Sequence, residues 1–283
     1  MSTSRGSRPA PRHPPLDAAP VELLLADDPG QGAGKGEGEG EGTDELGPVG
    51  LAQRFFDGRD MWVAPGNGSL PRSWVEPVWR GPALSRFQRG VMAGLMSESS
   101  PRGYAPLREQ IAAKLARDGL AVHPERNLLV THGSTHGIDL VLRTLLAPQD
   151  TVLVEDPFYF MTGPMLEPLG VRVVAVPRGA DGPDLAAFEE ACRLHRPRLF
   201  LMQSVFHNPT GWSITPPVLH RLLGLAERHG VTLVDEDVYG DFHPGRPVRP
   251  AELAGFDQVI YVGSFTKVLG SGLRAGFVAA GPK

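Results

Sequence analysis

Residues 258–276 read QVIYVGSFTKVLGSGLRAG, and the fold turns on how that stretch divides. Its opening, Gln258–Gly263, sets Val259, Ile260, Tyr261 and Val262 in a row and stops at glycine, the mark of a short strand. A turn of small residues follows, carrying Lys267 and, seven positions on, Arg274, before another apolar run starts at Gly276. Chemistry-bearing residues are therefore expected where strands end.

The same alternation extends upstream. Short β-branched runs predict strands at Asn127–Thr131, Thr151–Glu155, Val171–Val176, Arg198–Ser204, Thr232–Asp235, Gln258–Gly263 and Gly276–Ala280. Amphipathic stretches predict helices at Pro106–Arg117, Thr135–Leu146, Asp184–His195 and Pro216–His229. Leu107, Ile111 and Leu115 give the first helix one apolar face, as Leu219, Leu222, Leu223 and Ala226 do for the last. Pro106, Pro216 and Pro217 suit first helical turns. Such βαβ alternation implies an α/β fold, a mostly parallel sheet flanked by helices, with ligands beyond the carboxyl ends of its strands.

Residues 1–49 are rich in Pro, Gly and charge, and from Gly32 to Gly42 glycine alternates with Ala, Lys and Glu. Such a segment buries too little apolar surface to offset chain entropy and reads as a disordered tail or linker. Residues 50–100, with Phe55, Phe56, Trp62, Trp74, Trp79 and Phe87 among many Gly and Pro, read as a loop-rich arm that packs on something else. Residues 101–283 form the main domain. A net charge of -4 and a pI near 6.1 argue against a basic nucleic-acid-binding face. The lone Cys192 allows neither an internal disulfide nor a multi-cysteine metal site. Val21–Ala26, interrupted by Glu22, is too short for a signal-peptide core or a membrane span, so a cytoplasmic location is expected.

Four lysines, at 35, 114, 267 and 283, stand against twenty-four arginines. Lys267 sits among small and apolar residues, where a bare ammonium is costly. That cost favours the neutral amine needed to attack an aldehyde, which arginine cannot replace. Ser264 and Arg274 flank it, a hydroxyl and a guanidinium suited to the phosphate of a phosphate-bearing aldehyde. A second phosphate cradle is expected at Gly133-Ser134-Thr135, where a strand turns through glycine into a helix start.

Asn208-Pro209-Thr210-Gly211 and Ser264-x-x-Lys267 with Arg274, in that order and spacing, resemble the fold-type-I pyridoxal-phosphate (PLP) enzymes, specifically class I/II aminotransferases and the aminotransferase-like domains of MocR-type regulators. The resemblance covers roughly residues 101–281. It implies that Lys267 forms the internal aldimine and Asn208 bonds the cofactor's ring hydroxyl. Ser264, Arg274 and the Gly133-Ser134-Thr135 turn then hold the phosphate, while Tyr159, in Asp156-Pro157-Phe158-Tyr159, stacks on the ring. Gly103-Tyr104-Ala105-Pro106-Leu107-Arg108 is similar to the helix start that precedes the large domain in this family.

PLP also needs a carboxylate on its pyridine nitrogen, because the protonated ring is the electron sink. In the family an aspartate stands three, sometimes two, residues before a tyrosine that touches the ring oxygen. In Asp235-Glu236-Asp237-Val238-Tyr239 those spacings give Glu236 and Asp237. Side-chain type favours Asp237, then Glu236, with Asp235 third; Tyr239 keeps its role in every register. His132, His136, His207 and His243 match no metal spacing, and Trp212 reads as core or rim.

The first functional expectation is amino-group transfer between an amino acid and a 2-oxo acid. The second is a PLP- and effector-binding domain of a MocR-like regulator, although no DNA-binding domain is visible in the sequence; a non-catalytic relic comes third. A homodimer follows from the resemblance. So does a small C-terminal domain supplying an arginine for the substrate's α-carboxylate, which this sequence does not contain; weak turnover is expected without it.

Overall fold

A computed structural model describes residues 68, 70–95 and 100–282. The tail or linker expected over residues 1–49 lies outside the described residues, as do Lys35 and Lys283. Eight strands form one sheet: β1 (Leu128–Thr131), β2 (Thr151–Asp156), β3 (Arg172–Gly179), β4 (Gly182–Pro183), β5 (Leu199–Met202), β6 (Thr232–Asp237), β7 (Val259–Ser264) and β8 (Gly276–Ala279). Their spatial order is β1-β8-β7-β6-β5-β2-β3-β4. The central neighbours β7, β6, β5, β2 and β3 run parallel; β8 is antiparallel to both β1 and β7. The expected mostly parallel α/β sheet is the fold found.

The described helices are α1 (Arg72–Val75), α2 (Pro82–Leu95), α3 (Ala105–Arg117), α4 (Gly133–Leu145), α5 (Thr162–Leu166), α6 (Leu185–His195), α7 (Pro216–His229), α8 (Pro250–Ala254) and α9 (Thr266–Leu269). Two apolar clusters cover the two faces of the sheet. Ile138, Val141 and Leu142 of α4 pack on Val152, Val154, Leu199, Leu201, Val234 and Val262. Ile111 and Leu115 of α3, Phe188 of α6 and Leu219 and Leu222 of α7 cover the other face, with Leu153, Phe200 and Leu233. Consecutive strand residues divide between the clusters, as the period of two requires.

The arm departs from expectation. Where loops were read over residues 50–100, α1 and α2 occur, joined through a 3₁₀ turn at Glu76–Trp79. Leu84, Phe87 and Val91 carry a helical period that Gly90 and Gly94 obscure in the sequence. The arm packs on the turn after Lys267: Trp79 Nε1 donates to the Leu269 carbonyl at 2.6 Å. Among the described residues no helix is long and apolar enough to cross a membrane.

Candidate active site

The parallel strands bring their carboxyl ends to one edge. Ser264 of β7 pairs with Gly276 of β8, and Gly276 with Thr131 of β1, so three turns meet in one row. Lys267 leaves that row on α9, only four residues long. Its Nζ lies 5.7 Å from the centroid of the Tyr239 ring. Burial pushes its amine below the usual lysine range and the positive charge of Arg274 adds to this, while Glu236 opposes. Gly68 backs the same amine from the lead-in segment. At φ +65° a Cβ there would collide with the Tyr239 hydroxyl and lie 3.2 Å from Lys267 Nζ.

Strand β6 extends through Glu236 and Asp237, and alternation separates its three acids. Asp235 and Asp237 share the face of Leu233. Asp235 accepts from the Ser204 N–H and hydroxyl at 2.9 and 2.8 Å, and burial with the charge of Asp237 pushes it up to about 7. Asp237 pairs with Arg249 at 2.6 Å, accepts from the Tyr261 hydroxyl at 2.8 Å and caps the Gly240 N–H at 2.7 Å. Its carboxylate is thus consumed by a buried structural network. Glu236 shares the face of Val234, towards α4. Burial raises its carboxyl, while hydrogen bonds from Gln203 and Ser134 and the charge of Lys267 pull the other way. Side-chain type had pointed to Asp237; strand geometry instead turns Glu236 to the lysine.

The turn before α4 meets the turn before β8. Gly133, at φ +80°, leaves so little room that a Cβ would sit 3.0 Å from the Arg274 guanidinium. Gly276 is pressed still closer, where a Cβ would fall 2.6 Å from the Gly133 carbonyl carbon. Arg274 is exposed and reaches the His132 carbonyl at 3.4 Å. Ser264 Oγ accepts from the Thr266 N–H at 3.1 Å. The Ser134 hydroxyl bonds Glu236, which leaves its backbone N–H, with that of the exposed Thr135, at the helix start.

Asn208 and Tyr159 are both half-buried beside this edge. Burial, then the nearby Glu236, raises the phenols of Tyr159 and Tyr239, keeping both as hydrogen-bond donors. Phe158, Tyr159, Gln203, His207 and Glu236 line one opening in the surface. His207 is buried with its Nε2 3.4 Å from Glu155, which also pairs with Arg178. Trp212 is a half-open rim residue.

Three contributors went unread in the sequence: Gly68, Gln203 and Thr266. Gly68 was visible only as part of a glycine-rich lead-in, Gln203 carried no motif, and Thr266 sat unremarked inside the Lys267 phrase. Thr266 Oγ1 is buried and, among the described residues, has no hydrogen-bond partner. An unpaired hydroxyl, a glycine turn against a guanidinium and a lysine pushed towards its neutral form together fit a phosphate-bearing aldehyde.

Comparisons with known proteins identify the family. The model of the family described as aminotransferase class I and II matches residues 83–283. The chain is 38% identical over 222 residues to a 2-aminoadipate transaminase of Thermus thermophilus, covering 76% of this chain and 54% of that protein. It is 30% identical over 227 residues to the uncharacterized HTH-type transcriptional regulator YdcR of Escherichia coli, covering 79% and 48%. The crystal structure of LysN, the α-aminoadipate aminotransferase of Thermus thermophilus complexed with N-(5'-phosphopyridoxyl)-L-leucine, aligns with a TM-score of 0.64 at 35% identity, over 75% of this chain and 53% of that one. The chain spans about half the length of the curated relatives it matches. On the family match and on the shared sheet and edge, the chain belongs to the class I and II aminotransferases.

Proposed function

We propose that the protein is a PLP-dependent aminotransferase, moving an amino group between an amino acid and a 2-oxo acid. One observation carries the reading: Lys267, its amine pushed down by burial, lies 5.7 Å from the Tyr239 ring and feels the charge of the Glu236 carboxylate at the strand ends. When bound, PLP supplies an electrophilic aldehyde and a ring able to take up an electron pair. Lys267 would be the amine that holds the cofactor and the base whose Nζ moves a proton on and off the substrate's α-carbon. Glu236 would hold the proton on the cofactor's ring nitrogen. Asn208 and the Tyr239 phenol would hydrogen-bond the ring oxygen, and Tyr159 would support the ring. Ser264, Arg274, the Thr266 hydroxyl and the N–H groups of Gly133-Ser134-Thr135 would hold the phosphate. Asp237 is assigned a structural role, and Asp235 with it.

The match to YdcR supports a second reading, in which the same site belongs to a regulator and senses an amine. A cytoplasmic location, expected from the short apolar run Val21–Ala26, and a homodimer, from the family resemblance, belong to this proposal. An absorbance spectrum of the purified chain with PLP, before and after a panel of amino acids, tests it. A visible band that each effective amino acid bleaches, with 2-oxo acid released over many cycles, supports the enzyme. Bleaching without turnover favours the sensor, and no band overturns both.

A further inference from the structure

Strand β5 ends at Met202, and the next residue, Gln203, is 7% exposed. Three of its polar groups are engaged. Its backbone N–H donates to Glu155 Oε2 at 2.9 Å. Its side-chain oxygen accepts from the Asn208 N–H at 2.7 Å, and its side-chain Nε2 donates to Glu236 Oε2 at 2.9 Å. The amide fits one way round: reversed, its NH₂ would face an N–H and its oxygen a carboxylate. We propose that Gln203 is a positioning residue of the cofactor site, an amide strut that sets the Asn208 loop and the Glu236 carboxylate in fixed relation. The proposal rests on the reading that both of those residues hold PLP.

Three features support it. Asn208 and Glu236 come from different segments, the loop after β5 and the end of β6, so nothing in the local chain fixes their separation. Gln203 spans the gap with one planar group. Glutamate also carries one more rotatable bond than the aspartates on either side of it, and a donor on one oxygen removes that freedom. Finally, the amide is neutral. A lysine or arginine there would pair with Glu236 and compete for the charge the ring nitrogen needs, whereas an amide orients the carboxylate and leaves it negative. The strut's base is itself braced, since Glu155 pairs with the buried Arg178 and lies 3.4 Å from His207 Nε2.

Two substitutions test the strut, read as PLP dissociation constants from absorbance titration and as the thermal midpoint of the PLP-free chain. Gln203→Met keeps the length and loses both arms; it should weaken PLP binding about 10- to 100-fold, in line with lost hydrogen bonds at a charged group. Gln203→Glu keeps the acceptor for Asn208 but turns a carboxylate on Glu236. Protonated at low pH, that glutamate reproduces the amide's pattern of one donor and one acceptor. Its affinity relative to wild type should therefore approach one near pH 5.5 and fall towards pH 8.5, a rescue that Gln203→Met cannot show. A flat ratio across pH, or losses only in step with the thermal midpoint, overturns the strut. Failure of the site reading looks different: wild type binds no PLP, or Glu236→Ala and Asn208→Ala leave binding unchanged, and the strut falls with it. If those two weaken binding and Gln203→Met does not, the site stands and the strut alone is refuted.

Discussion

Lys114 and Lys267 are the two lysines within the described residues, and they lie near opposite faces of the same strand, β6. Lys114 shares a small cavity with Asp237 and Tyr261 and bonds two carboxylates, Asp241 at 2.6 Å and Asp118 at 2.9 Å. Burial pushes its amine down, but hydrogen bonds to those aspartates outweigh it and the net shift is upward. Lys267 makes no ion pair among the described residues, and its shift is downward. Partial burial alone therefore does not make a nucleophile of a lysine. Partners on the Asp237 face spend the ammonium on structure, while their lack at Lys267 leaves an amine able to lose its proton.

The sharpest break of this contrast is covalent. After incubation with PLP and borohydride, peptide mass mapping should find the pyridoxyl group on Lys267. Lys267→Ala should lose that label entirely and Lys114→Ala should keep it. A label on Lys114 in the wild-type chain would erase the distinction.

Stability should show the reverse ranking. Asp237→Ala leaves Arg249 buried without its partner, a change that typically costs about 3–5 kcal/mol. Lys114→Met, losing two partly exposed pairs, should cost about 1 kcal/mol. Chemical denaturation of the PLP-free chain reads both, and a larger loss for Lys114→Met would contradict the placement of the buried network.

The smallest effect is a shift in pH dependence. Because Lys267 is lowered, its reaction with PLP should rise at lower pH than that of an exposed lysine. Glu236→Gln removes a carboxylate that favours the ammonium and should move the rise further down. Arg274→Ala removes an opposing positive charge and should move it up. Movement of both variants in the same direction would show that their charges do not act on this amine.

Much of this contrast is legible in the sequence. Pro216–His229 was read with the limits the helix has, because apolar spacing and a proline start coincide there. Lys267, Arg274 and Asn208 stand out in the sequence because each sits beside a turn of distinctive composition. The face of Glu236 was not legible. Strand β6 is buried on both sides, so Leu233 and Val234 give no apolar–polar alternation from which to read the register. The strand was also read as ending at Asp235, since acids are poor strand formers until tertiary pairing with β7 overrides the preference. Without register, side-chain type was the remaining guide, and it favoured Asp237. Gln203 was invisible for a related reason: its importance lies in two partners five and thirty-three residues away.

The sheet order carries a consequence for how the protein is made. Among the described residues strand β1 has a single strand neighbour, β8, and the two lie far apart in sequence, Leu128 opposite Ala279. At about 5–20 residues per second, a ribosome needs roughly 7–30 s to pass from one to the other. For that interval the edge that β8 will cover stays open, while the other already takes the bond from the Val130 N–H to the Arg102 carbonyl at 2.9 Å, and a chaperone or a wrong partner competes for the open one. The glycine turn that follows β1 gains its close neighbour, Gly276, only when that wait ends.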